Sequence, residues 1–379
     1  MKQIYLDYAA STPLDPEILE VMLPYLKSNY FNPSADYNAA REVAQSLAKA
    51  RSEVAGILGV KTGEIVFTAG GSEANNLAIK GVMDAYPEAK VLFSAIEHDS
   101  LLIPASRYAH DSIKVDHFGR IDLEDLRAKL DDSVVLISVM YCSNEVGTIE
   151  PLRQIAAILK AERVARSRRG NRLPLLMHSD ACQAANYLDL HVNRLGVDLM
   201  TLNGSKMYGP KQSGVLFVKS GVNLRPLIEG GGQEFGLRSG TENVAGAIGF
   251  AAALTKAQAL RETESRRLCE LRDHFISRLQ SDFNNINING SLRQRLPNNV
   301  HVTFPNQDNE RLLYGLDAAG IMAAAGSACS AAKNTPSHVL AAMGFSEEYA
   351  HASLRFSLGR QTLKVDINRT LLVLKTLIT

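Results

Sequence analysis

A lysine at position 206 follows Asn-Gly-Ser in the stretch "TLNGSKMYGPK" (201–211), where an apolar run gives way to a glycine- and proline-rich turn. Lysines prefer open helical faces that keep them charged, so an amine at the end of a strand points to chemistry, and condensation with an aldehyde is the reaction an amine does best. "HSDACQAA" places Asp180 near a strand end, where a carboxylate can keep a heteroaromatic nitrogen protonated, and Gln183 three residues later can donate to a ring oxygen. "TAGGSEANN" joins flexible glycines, including Gly71, to the hydroxyl of Ser72 and the free amides of a following helix, which suits a phosphate dianion. Pyridoxal phosphate is the commonest aldehyde cofactor, and it would call for partners of these kinds. The glycine stretch is neither a Walker motif nor a dinucleotide fingerprint, because GK[ST] and GxGxxG are both absent.

The elements that would hold these groups can be read from the pattern. "EIVFTAGGSEANN", "AKVLFSAIEHDSLL", "SVVLISVMYCSNEVG" and "RLPLLMHSDACQA" are each an apolar run ending in polar residues. Strands of this kind alternating with helices predict an α/β fold with a mostly parallel sheet covered on both faces, and with function gathered where strands end. The segment "NAAREVAQSLAKARSEVAGILG" predicts a helix with Val43, Leu47, Val54 and Leu58 inward and Arg41, Glu42, Lys49 and Arg51 toward water. Beyond "IEGGGQEFGLRSGTEN" one or two long helices lead to the strand "NNVHVTF" and a final helix after Val365. This order predicts a large domain over 15–255 and a smaller α+β domain made of 1–14 with 256–379, bridged by the long helix.

The 379 residues carry 41 basic against 40 acidic side chains, and this balance gives no support to a polynucleotide ligand. The one dense basic stretch, "AERVARSRRGNR", reads as a solvated loop. "MKQIYLDYAAST" lacks the core of a signal peptide, and no apolar run is long enough to span a bilayer, so the expectation is a cytoplasmic protein. Cys142, Cys182, Cys269 and Cys329 form no Cys-x-x-Cys pair, and His178 and His191 lack metal-ligand spacing, so neither a disulfide scaffold nor a metal site is expected. Cys142 and Cys182 read as packing residues. Cys329 differs, because "AAAGSACSAAKNTPSHVL" surrounds it with small residues that pack little and permit movement.

In this order, "YLDYAASTPLDP", "GGSEANNLAIKG", "EHDSLL", "SNEVGTIEPL", "HSDACQA", "NGSKMYGPK", "GGGQEFGLRSGTEN", "GSACSAA" and "HASLRFSLGR" resemble the successive motifs of pyridoxal-phosphate-dependent cysteine desulfurases, class-V aminotransferases of fold type I. The resemblance runs from about Ile4 to about Arg369 and favours the subgroup with a Gly-Ser-Ala-Cys loop. It implies that Lys206 binds the cofactor covalently and acts as base, that Asp180 pairs with the pyridine nitrogen, that Gln183 contacts the phenolic oxygen and that His98 stacks on the ring and carries protons. It also implies that Asn144 and Arg355 hold the substrate carboxylate, and that Gly71, Ser72, Ser205 and Thr241 from the other subunit of a homodimer surround the phosphate. Cys329 would take sulfur from L-cysteine as a persulfide, release L-alanine and pass the sulfur to an acceptor protein, an iron–sulfur scaffold or a thiolation enzyme. An aminotransferase or another β-lyase on this fold would need Lys206 and Asp180 but not a mobile Cys329, and a silent scaffold would need none of the set.

The sequence departs from the family pattern at four places. Ser205 stands where a histidine usually precedes the lysine, the Asn-Pro after Phe31 lacks its preceding glycine, and the basic segment ending at Arg172 is long. The chain also stops soon after Ile378, without the extended tail by which housekeeping members meet a scaffold.

Overall fold

The computed structural model describes residues 3–326 and 336–378. Cys329 therefore lies outside the described residues. A short strand β1 (Ile4–Tyr5) precedes seven strands that form one sheet: β2 (Ile65–Thr68), β3 (Lys90–Ser94), β4 (Ala109–Ile113), β5 (Val134–Ser138), β6 (Leu176–Asp180), β7 (Leu199–Asn203) and β8 (Gly214–Val218). Their spatial order is β2-β8-β7-β6-β5-β3-β4, with β8 antiparallel to both neighbours and the remaining pairs parallel. The mostly parallel α/β sheet expected from the apolar runs is present.

Both faces of this sheet are covered, and the side-chain alternation of a strand shows how. On β8, Val215 and Phe217 enter one apolar cluster with Met177, Met200 and Leu254, whereas Leu216 and Val218 enter another with Leu77, Val82 and Val91. Since β3, β5, β6 and β7 run in one direction, their carboxyl ends open on the same side. His98, Asn144, Asp180 and Lys206 all follow or end those strands.

The remaining strands are β9 (Asn287–Ile288), β10 (Asn299–Thr303), β11 (Ile321–Met322) and β12 (Ser353–Ser357), with β10 between β12 and β9 in a three-stranded antiparallel sheet and β11 parallel to β1. A single 39-residue helix, Val244–Asp282, joins the two regions. Its first part packs on the helices Pro16–Lys27 and Asn38–Leu58, and further along Phe275 and Leu279 share a core with Val300, Phe356 and Leu371.

The helix Asn38–Leu58 buries Val43, Leu47, Val54 and Leu58 as its periodicity predicts, but Arg51 departs from the expectation that it faces water. Its guanidinium makes a fork with both carboxylate oxygens of Glu234 at 2.6 and 2.7 Å, and lies between the rings of Phe67 and Phe235. The amide of Phe67 donates to the same carboxylate. Glu234 and Phe235 both have positive φ, 48° and 60°, a strained backbone that this buried pair holds in place. Removing one member leaves an uncompensated buried charge, so Arg51→Ala should lower unfolding free energy by about 3–5 kcal/mol, read from urea denaturation.

Candidate active site

Lys206 is presented by the ten-residue connection between the antiparallel strands β7 and β8. The connection is tight: a side chain on Gly204 would come within 2.2 Å of Ser213 Oγ and 2.8 Å of the Pro210 carbonyl. The Ser205 carbonyl accepts from the amide and hydroxyl of Thr12, and the Lys206 carbonyl accepts from Asn186 Nδ2 at 2.7 Å. Its Nζ, half-buried, donates to the Ala10 carbonyl. Burial pushes its pKa down from the ordinary 10.5, and the charge of Arg355 acts in the same direction while Asp180 and Asp7 oppose it. The neutral amine that a nucleophile or base needs is therefore more accessible here than in water.

The amine opens into a cavity of about 310 Å³ whose walls include Gly71, Ser72, His98, Asn144, Asp180, Gln183 and Arg355. Asp180 ends β6 with both oxygens anchored: Oδ1 accepts from the Cys182 amide at 2.9 Å and Oδ2 from Asn75 Nδ2 at 2.7 Å. Asn75 also donates to Ser100 Oγ at 2.9 Å, and Ser100 Oγ lies 2.8 Å from His98 Nδ1. Because His98 Nδ1 also accepts from the Ser100 amide, the ring proton of the neutral form sits on Nε2. Burial lowers the His98 pKa and favours that neutral form.

At one end of the cavity the helix Gly71–Ala85 begins. Gly70 precedes it at φ 143°, and a Cβ on Gly71 would stand 2.9 Å from Cys182 Sγ, so both positions are closed to side chains and the helix amides stay open. Ser72 lines this end; Gln183 lines the cavity with its Nε2 on the Ala9 carbonyl at 2.9 Å. Elsewhere in the wall Arg355, in β12 and 1% exposed, donates Nη1 to the Asn144 carbonyl at 3.0 Å and Nη2 to Asp7 Oδ1 at 2.7 Å.

Ser205 does not line the cavity, and Thr241, expected to serve the partner's site, does not line its own. The Ser205 hydroxyl turns onto Asn203 Oδ1 at 3.1 Å, and Asn203 lines the wall in its place. Thr241 is exposed on the loop before the long helix. Conversely, Asn75, Asp7 and Asn203 were not singled out by sequence reasoning. The only signal for Asn75 was its place beside Ser72 in the glycine motif, since its partner is 105 residues away.

The other candidates take structural positions. His178 lies between Ser138 Oγ at 2.8 Å and Thr201 Oγ1 at 3.0 Å, and burial brings its pKa down to about 4. No group of His, Cys, Asp and Glu among the described residues could hold a metal ion. Burial pushes the thiols of Cys142 and Cys182 well above the usual range, which leaves them inert. The basic stretch differs from the solvated loop expected: it closes the helix Leu152–Arg168, and Arg166 is 1% exposed with its guanidinium on the carbonyls of Val134 and Asp131. Arg169 is held by Asp132 and Glu162. A clamp at the start of the interior strand β5 thus uses charges that were expected to face water.

An amine, a braced carboxylate, a helix start closed to side chains and a volume of ligand size fit pyridoxal phosphate. The profile of the family described as Aminotransferase class-V matches residues 4–370. The chain belongs to that family. Within it, a protein named cysteine desulfurase IscS from Dictyoglomus turgidum is 40% identical, over 100% of this chain and 95% of its own. A cysteine desulfurase IscS from Methanosarcina thermophila is 38% identical, over 100% of this chain and 92% of its own. Among solved structures, a NifS-like protein superposes with a TM-score of 0.90 at 30% identity, covering 99% of each chain. A structure described as SspA in complex with cysteine gives a TM-score of 0.81 at 30% identity, covering 96% of this chain and 100% of that one. The family's dependence on pyridoxal phosphate agrees with the fit of the cavity.

Proposed function

We propose that the protein is a cysteine desulfurase that converts L-cysteine to L-alanine and retains the sulfur as a persulfide on Cys329. The observation that carries this reading is the Lys206 amine and the doubly anchored Asp180 carboxylate in one cavity with Arg355, in a chain similar along its whole length to cysteine desulfurases. When bound, pyridoxal phosphate supplies an aldehyde for the amine and a protonated ring that withdraws electrons from the substrate's Cα.

The chain's own residues do the rest. Ser72 and the amides opening the helix Gly71–Ala85 bind the phosphate, and Asp180 keeps the proton on the ring nitrogen. Gln183 directs its amide toward the phenolic oxygen, and His98 covers the ring. Arg355 and Asn144 orient the substrate through its carboxylate. Lys206 Nζ, favoured as a neutral amine by burial, removes the Cα proton and returns protons to the carbon skeleton. The Cys329 thiolate then attacks the substrate sulfur: the new S–S bond forms, the Cβ–S bond breaks, and its electron pair stays with Cβ, which is protonated as alanine.

The exposed position of Thr241 outside its own cavity supports a homodimer in which it reaches the partner's phosphate site. The cores support a division into 15–255 and 1–14 with 256–379, since Ile4 and Leu6 pack with Val300, Phe356 and Leu371. We place the protein in the cytoplasm, handing sulfur to a scaffold or thiolation protein; no helix among the described residues is long and apolar enough to cross a membrane.

The test is peptide mass spectrometry after brief exposure to L-cysteine, with alanine quantified in the same sample. One extra sulfur on the Cys329 peptide together with alanine is expected, and alanine without that sulfur would reject Cys329 as the acceptor. Cys329→Ser should keep the cofactor absorbance and lose persulfide and sustained turnover.

A further inference from the structure

Arg355, in β12, is almost wholly buried, where an unpaired cation would be costly. One amino group is taken by the Asn144 carbonyl and the other by Asp7 Oδ1 at 2.7 Å, while Nε has no partner among the described residues. The main chain at Asp7 is held in place. Its carbonyl accepts from Tyr5 Oη at 2.8 Å and from the Ala10 amide at 3.0 Å, and the chain on either side is bonded to Ser357. Its side chain is only 19% exposed, so its charge is poorly screened.

Other titratable groups near this guanidinium do not touch it, although the charge of Arg355 is felt by Glu145. His301, facing Arg355 across the β10–β12 ladder, is kept neutral by burial, its pKa down to about 3. Glu145 lies 3.8 Å from His301 and is bonded to Ser337, and burial raises its carboxyl pKa. Asp7 is the carboxylate in direct contact with Arg355.

We propose that Asp7 is a resident counter-ion with which a substrate's α-carboxylate must share Arg355, so that Asp7 both orients the guanidinium and sets the affinity for carboxylate ligands. This rests on the reading of Arg355 as the substrate carboxylate site. In the empty site Asp7 neutralises a buried cation. When an α-carboxylate arrives, two anions crowd one fork, and the repulsion subtracts from binding. Asparagine at position 7 keeps the Oδ1 acceptor and removes the charge, so folding stability and ligand affinity move in opposite directions. A residue that only held Arg355 in place would weaken both.

The experiment titrates the holoenzyme with L-alanine and with cysteamine, an aminothiol without a carboxylate, following cofactor absorbance, and measures KM for L-cysteine and Tm. For Asp7→Asn, the L-alanine Kd and the L-cysteine KM should each fall about tenfold, cysteamine binding should stay within about twofold, and Tm should drop. Arg355→Gln is the control: it should weaken L-alanine and spare cysteamine. If Arg355→Gln leaves L-alanine binding unchanged, the carboxylate site is elsewhere and the proposal goes with it. If Arg355→Gln weakens L-alanine but Asp7→Asn fails to tighten it, the substrate site stands and the role of Asp7 is overturned. Where Asp7→Asn cannot be recovered with cofactor, Asp7→Ser, which lacks the charge but also gives up the Oδ1 acceptor, should still tighten L-alanine, by less than Asp7→Asn, and no tightening would overturn the role of Asp7.

Discussion

Lys206→Ala will lose turnover of L-cysteine by roughly 10⁴-fold or more, because one side chain supplies both the amine that binds the cofactor and the base at Cα. Among the described residues nothing takes over: His98, favoured in the neutral form with its proton on Nε2, has Nδ1 engaged by Ser100, and no second described lysine lines the cavity. The fold should survive, since the bonds that shape the connection are made by the backbone of Gly204, Ser205 and Lys206 rather than by the amine. Purified variant protein should therefore show an unchanged far-ultraviolet spectrum, cofactor that dialyses away, and partial rescue by methylamine, which fits the space the side chain vacates. Retained activity without added amine would transfer the base to another group.

The second large effect belongs to Asp180. Its two oxygens accept from two fixed donors, Asn75 Nδ2 and the Cys182 amide. An amide has one acceptor oxygen, so Asp180→Asn sets an N–H against one of those donors and also removes the charge that keeps the ring nitrogen protonated. We expect kcat to fall by roughly 10³-fold or more, with a loss of stability of about 1–3 kcal/mol from the mismatched donor. The pair Asn75→Asp with Asp180→Asn separates the two causes, because the new carboxylate at 75 accepts from the new amide at 180. Stability should return in the double variant and activity should not. Recovery of kcat would mean that hydrogen bonding at position 180, rather than its charge, carries the chemistry.

What the sequence made legible follows the range over which each interaction acts. The runs that became β3, β5 and β6 announce themselves because strand burial on both faces needs only neighbouring apolar residues, and their polar ends marked the side on which His98, Asn144 and Asp180 meet. Arg51 read as solvated because helical periodicity sees only its own turn, and Arg166 because a dense run of charge reads as a loop. The group that buries Arg51 is Glu234, 183 residues on, and Arg166 is buried by backbone carbonyls 32 and 35 residues earlier. The brace of Asn75 on Asp180 was hidden for the same reason. Ser205 shows the opposite limit: the family resemblance implied a phosphate contact for it, whereas a 3₁₀ turn over Gly204–Lys206 puts its hydroxyl on Asn203.

The connection that carries Lys206 returns to an adjacent antiparallel strand instead of crossing over a helix, and Gly204 is bonded through its amide to the Ser213 carbonyl and through its own carbonyl to the Gly209 amide. Gly204 is tied from both sides, so its amide and that of Gly209 should exchange their hydrogens more slowly than those of the exposed Lys211 and Gln212. The reactive amine is thus mounted next to a closely tied backbone, which favours rearrangement in the parts that approach it over movement of the amine's own anchor.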